Sequence, residues 1–243
     1  MNRLRLFSGL LFIMAAALPA TGATAVVPAA PALSADETLK EYTDWAKSPE
    51  GPAFLAFIRQ TVQAVASGEP LPASDCHFPW LKQPVGVFVT AMKGKQVRSC
   101  VGTFSPAGPT LRDEIIHQCR RLVTEDPRHP PLDPYELDDL RFVVTFAGAA
   151  RHLENPADAD IWREGLIARC HGREAVLLPG EAKTLSWGLA FLHRQIQKSK
   201  DETVVYAAFP VVVLSEPWKP ILAAEDQTPT GDTKGRKNKK KAD

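Results

Sequence analysis

Cysteine is scarce in this chain, four in 243 residues, and so is net charge, with 29 Lys+Arg against 28 Asp+Glu. Four cysteines are too few for a disulfide-dense scaffold. No apolar run reaches the roughly 18 residues that a membrane-spanning helix needs. The sequence also lacks a phosphate-cradling Gly-rich loop, a G-x-S-x-G elbow and a dinucleotide fingerprint, which disfavours nucleotide-dependent and α/β-hydrolase chemistry and predicts no cofactor. Cys76-His77, His117-x-Cys119 and Cys170-His171 pair metal-binding atoms, but none has the C-x2-C or H-x3-H spacing that brings two ligands to one ion, so no metal is expected. What is present, 44% hydrophobic and 23% charged residues, belongs to a globular protein.

The ends differ from the middle. Arg3 and Arg5 precede an almost unbroken apolar stretch from Leu6 to Leu18, Pro19 breaks it, and Ala23-Thr24-Ala25 follows. That order is a secretory signal over residues 1–25, cleaved after Ala25, and it predicts a secreted or periplasmic protein. Residues 26–36 form an Ala/Pro-rich spacer. Residues 223–243 carry Lys234, Arg236, Lys237, Lys239, Lys240 and Lys241 with almost no apolar content, a solvated tail able to contact anionic surfaces. Without the signal and the tail, residues 26–222 hold 21 Lys+Arg and 24 Asp+Glu. A mildly acidic body argues against nucleic acid as a partner.

Within the body, Ser34 and Glu37 form a capping box ahead of Leu39, Tyr42 and Trp45, predicting a helix. A second runs from Pro52 to a stop at Gly68. The β-branched run Val85–Met92 turns at Lys93-Gly94-Lys95 into Gln96–Val101, a β-hairpin. Thr110 caps a third helix, whose apolar positions Leu111, Ile115, Cys119 and Leu122 form one stripe; Cys119 is therefore a core residue. Asp126 to Pro131 is an extended loop stiffened by proline, and Asp133 with Glu136 caps a single helical turn. A strand follows over Arg141–Phe146, and a hairpin turns at His171-Gly172-Arg173. Leu185 to Ile196 marks a last helix and Thr203–Leu214 a last strand. Hairpins interspersed with helices define an α+β fold around a largely antiparallel sheet with flanking helices.

Three ordered blocks resemble the AMMECR domain family. The first, Gly86 to Pro106, contains Arg98-Ser-Cys-Val-Gly102 where the family has Arg-Gly-Cys-Ile-Gly. The second is Thr124-Glu-Asp-Pro-Arg128, then Pro130-Pro131 and Tyr135-Glu-Leu-Asp-Asp-Leu140. The third is Glu164–Arg169, Gly172-Arg173 and Leu177-Leu-Pro179, with Trp187 and Phe191-Leu192 beyond. The resemblance spans roughly residues 40–218 of a domain bounded at 37–222. It implies a larger and a smaller lobe sharing a cleft, with an activity that is not established. The family's association with a Memo-type protein and a radical S-adenosylmethionine enzyme implies such a partner, and a role in cofactor, redox or RNA modification. The chain departs from the family pattern at Ser99, which stands for Gly, at His129, which stands for an aromatic, and at Gly180-Glu181.

Cys100 is the candidate catalytic residue. Strand alternation would put Arg98 on its face, where a guanidinium favours the thiolate and anchors an anion. The alternative is a small residue packing a strand end. Ser99 and Gly102 join the site through the hallmark, and Arg173 through the third block. Arg128 is a second anion anchor or half of a structural ion pair. Glu164, Asp138 and Asp139 show no paired arrangement for acid–base work. The expected function is binding or modifying a small molecule around Cys100. A peptide-binding module without catalysis and an accessory of RNA or cofactor modification are the alternatives. Pairing among Cys76, Cys100, Cys119 and Cys170 is left open by the sequence.

Overall fold

The computed structural model describes residues 35–72 and 78–217. The signal, most of the spacer, Ser34 of the first capping box, Cys76-His77 and the basic tail lie outside them. Helix α1 (Ala35–Lys47) turns Leu39, Tyr42 and Trp45 inward, and α2 (Glu50–Ser67) begins two residues before Pro52. The proline occupies the first turn, where its missing N–H has no helical partner to lose. Gly68 ends α2 in the left-handed region at φ 69°, the geometry that favours glycine.

Strands β1 (Gly86–Lys93) and β2 (Gln96–Thr103) form the predicted hairpin, and α3 (Leu111–Thr124) is capped by the Thr110 hydroxyl accepting from Asp113 N–H. Asp133 and Glu136 cap a 3-10 turn over Pro134–Asp139 reciprocally. After β3 (Leu140–Ala147) comes β4 (Arg151–Leu153), which the sequence reading did not contain. Three residues are too few to carry a period of two. The second hairpin is β5 (Glu164–Cys170) with β6 (Arg173–Leu177), and α4 (Leu185–Gln195) and β7 (Val205–Ser215) close the domain.

Among the described residues the strands join in one antiparallel sheet, ordered β2-β1-β3-β7-β5-β6, with β4 also on β7. The eleven residues of β7 tie its halves together. Val211–Ser215 pair with β3, whereas Val205–Pro210 pair with β5. The change falls at Pro210, which has no N–H to offer a ladder.

One face of β1, β3 and the end of β7 presents Val87, Val89, Phe142, Val144, Phe146 and Leu214 to α1, α2 and α3, forming the core of the larger lobe. Each such side chain contributes about 1.5–3 kcal/mol by burial. The smaller lobe has its own core, where Leu166, Ala168 and Leu177 meet Leu192 and Ile196 of α4 and its end. A third cluster joins them: Phe104 lies edge-on to Phe88 and to Phe209, each pair of ring centres 5.0 Å apart. The fold is the expected α+β one, two lobes about a shared cleft.

Candidate functional site

The site begins with an irregularity in β2. Ala91 pairs with Ser99 but Met92 pairs with Val97, so Arg98 is an extra residue in the ladder. A bulge of this kind breaks the alternation of faces. Val97 and Met92 both line the cleft, while Arg98 turns away to Glu136, with Nη2 2.6 Å and Nε 2.9 Å from its carboxylate. The rest of the guanidinium donates to the carbonyls of Pro130 and Pro131. Arg98 therefore does not share the face of Cys100, and it anchors the 3-10 turn rather than an anion in the cleft.

Arg128 takes the place beside Cys100. Asp126 accepts the Cys100 N–H at 2.8 Å and receives Arg128 through Nε and Nη2 at 2.9 and 2.8 Å. The same Nη2 donates to the Cys100 carbonyl at 3.0 Å. Both backbone groups at Cys100 are thus claimed by one ion pair from the loop after α3. Burial alone would raise the Asp126 carboxyl, but hydrogen bonds from Arg128 and the two backbone amides hold it down to about 2. Arg128 is stabilised as a cation chiefly by its bond to Asp126. Arg128 is half of a structural ion pair, and it also lines the cleft.

The thiol itself is not activated. Burial first, then the Glu181 charge, push Cys100 up to about 12, against the opposing hydrogen bond from the Thr90 hydroxyl at 3.2 Å and the charge of Arg128. A thiol near 12 is overwhelmingly protonated at neutral pH, and the thiolate is the nucleophile. Cys119, fully buried in the larger core, is the packing residue its stripe predicts. Among the described residues Cys100, Cys119 and Cys170 are free thiols.

Two adjoining cavities open from this point. A small one of about 240 Å³ is lined by Phe88, Cys100, Gly102, Asp126 and Val176; a larger one of about 680 Å³ includes Met92, Lys95, His129, Val143, Pro179 and Trp187. Arg128, Leu178, Glu181, Phe191 and Gln195 line both. The larger volume is that of a small-molecule pocket, mostly apolar with a few convergent polar groups. Trp187, half exposed, stacks on Phe191 with ring centres 5.7 Å apart and planes within 8°. Burial raises the Glu181 carboxyl, against the Leu178 N–H that it accepts and the nearby charge of Arg128.

Of the remaining predicted residues, Gly102 lines the small cavity because nothing larger fits: a Cβ there would lie 2.2 Å from the Phe88 ring and 2.6 Å from the Val87 carbonyl. Ser99 is buried on the opposite face of the strand, its hydroxyl donating to the Leu122 carbonyl at 2.8 Å. Arg173 sits at the other hairpin, paired with Glu202 at 2.9 Å, and lines neither cavity. The site thus unites Cys100, Gly102 and Arg128 and leaves out Arg98, Ser99 and Arg173. The reading of the sequence did not select Glu181. Its one signal was the departure from the family pattern at Gly180-Glu181, because only the fold brings that turn against Arg128.

Fold and site together define a two-lobed α+β protein with a ligand-sized cleft between its lobes. The chain belongs to the AMMECR1 family, whose model matches residues 55–208. A protein of Thermotoga maritima is 34% identical over 99 residues, 40% of this chain and 57% of that protein. One of Methanothermobacter thermautotrophicus is 34% identical over 112 residues, covering 44% and 58%. A Methanosarcina barkeri protein is 30% identical over 139 residues, covering 54% and 68%. The chain spans less than three fifths of the length of the first two relatives. The crystal structure of an uncharacterized protein from Pyrococcus horikoshii shares the fold, with a TM-score of 0.54 at 22% identity over 68% of this chain and 90% of that one.

Proposed function

We propose that this protein binds a small, flat, acidic organic molecule in the cleft beside Cys100. The observation that carries this reading is that Arg128, Glu181 and Phe191 line both cavities. A single ligand reaching from the small cavity into the large one meets a cation, a carboxyl and an aromatic face in turn. Stacking on the Trp187–Phe191 pair supplies area at little entropic cost, and Arg128 with Lys95 favours an anionic group. Glu181, its carboxyl raised by burial, is suited to exchange a proton with the bound molecule. Cys100 contributes its surface and a thiol that remains protonated.

The test is fluorescence titration with a panel of aromatic carboxylates and nucleoside monophosphates, in the wild type and in Trp187→Phe and Arg128→Gln. Saturable quenching lost in Trp187→Phe and weakened in Arg128→Gln is the expected result. No saturable change with any member, alongside saturable binding of extended peptides, would replace this reading with a peptide-binding module. We also place the protein outside the cytoplasm on the strength of residues 1–25. Mature protein purified from its source should begin at Val26; a retained Met1 would overturn that assignment.

A further inference from the structure

Away from the cleft, at the tip of the β5–β6 hairpin, three residues of metal-ligand type converge. One ligand atom from each of Cys170, His171 and Glu202 lies within 4.8 Å of the others. The ligand spacing in the sequence argues against a metal, but spacing along the chain does not bear on a site assembled by the fold. Cys170 is the last residue of β5, and His171 and Gly172 are both in the left-handed region, at φ 47° and 75°. This two-residue turn, with positive φ at both positions, ends the alternation of faces. The third ligand comes from the connection between α4 and β7, thirty-odd residues further on, where no spacing rule looks.

The parts are unequally prepared. Cys170 is buried, with its sulfur within 4.8 Å of the Glu202 carboxylate. Glu202 is held from both sides, accepting Arg173 Nη2 at 2.9 Å on one oxygen and the Ser199 N–H at 2.7 Å on the other. Such outer bonds fix the direction of a ligating carboxylate. His171 is the mobile member, with a largely exposed ring whose Nε2 already lies 3.7 Å from Glu202. Tetrahedral zinc, at about 2.3 Å from sulfur and 2.0–2.2 Å from nitrogen and oxygen, needs these atoms roughly 3.3–3.8 Å apart. The His171–Glu202 pair already lies at that spacing, and the imidazole is largely exposed.

We infer that Cys170 Sγ, His171 Nε2 and the Glu202 carboxylate bind a divalent transition cation of the zinc class. The site has three protein ligands and a fourth position open to solvent. Binding converts the Cys170 thiol to thiolate and releases its proton to solvent. Thiolate and carboxylate together balance the charge of the ion, while Arg173 remains as the partner that orients Glu202. The family match at Arg173 thereby acquires a structural meaning outside the cleft.

The experiment uses the full, untagged chain, metal-stripped and kept reduced, titrated with Zn²⁺ by calorimetry and with Co²⁺ by absorption. One Zn²⁺ per chain is expected, with release of about one proton on comparing buffers of different ionisation heat. Co²⁺ should show a thiolate charge-transfer band and tetrahedral d–d bands. His171→Ala, at an exposed position and with its fold checked by circular dichroism, should weaken binding at least about tenfold. Cys170→Ser should abolish the charge-transfer band, and Cys76→Ser should change nothing. Absence of stoichiometric binding, survival of full affinity in both His171→Ala and Glu202→Gln, or loss in Cys76→Ser would overturn the assignment.

Discussion

Cys100 and Cys170 occupy comparable places, each near the end of a strand and each with an arginine and an acid close by. The outcome differs because of what the charged groups hold. At Cys100 the Asp126–Arg128 pair takes the N–H and the C=O of the residue, so charge is used on the peptide and the sulfur is left to burial. At Cys170 the Arg173–Glu202 pair lies beside the sulfur itself, together with an exposed imidazole. Proximity of an arginine to a cysteine in sequence says little about the thiol. What separates the two sites is where the charged groups lie, on the peptide at Cys100 and beside the sulfur at Cys170.

The comparison can be broken at either end. The largest expected effect is in Arg128→Met, which leaves the buried Asp126 carboxylate without its cation; urea denaturation should show a loss of about 3–5 kcal/mol. The same pair should give the wild type an acid limb. Asp126 is depressed to about 2, so its contribution is present above the ordinary carboxylate range and is lost as pH falls through about 2. Denaturation curves of Asp126→Asn should lack that limb.

Alkylation compares the sulfurs directly. In a Cys76→Ser background, iodoacetamide at pH 7 should modify Cys100 on the order of a thousandfold more slowly than an unperturbed thiol. Labelling at the rate of an unperturbed cysteine would restore Cys100 as a nucleophile. Gly102→Ala sharpens the geometry of the cleft: displacing Phe88 should cost about 1–3 kcal/mol by thermal or chemical denaturation. The smallest effect belongs to Arg173→Met. Its ion pair with Glu202 is partly exposed, so stability should fall by less than about 1 kcal/mol.

Much of the fold was legible because its signals are local. Thr110 caps α3 where its hydroxyl reaches Asp113 N–H, and Gly68 stops α2 with a left-handed φ; both follow from backbone chemistry within a few residues. The candidate site was legible only in part. Cys100, Gly102 and Arg128 stood in recognisable blocks, but the bulge at Arg98 reversed one expectation, since an extra ladder residue leaves no mark in a run of strand-forming residues. Glu181 and the Trp187–Phe191 pair reach the cleft through the packing of the smaller lobe, which no local pattern encodes.

By itself the sequence determined the main helices and hairpins, the α+β class and the family resemblance, because hydrophobic period, caps and turn residues act over short distances. Only the tertiary structure decided which face each arginine serves and whether each thiol is suppressed or accompanied. Those properties depend on burial and on partners up to dozens of residues away, as at Arg98–Glu136 and Cys170–Glu202. Electrostatics in a low-dielectric interior is set by final positions, and a linear order of residues does not contain them.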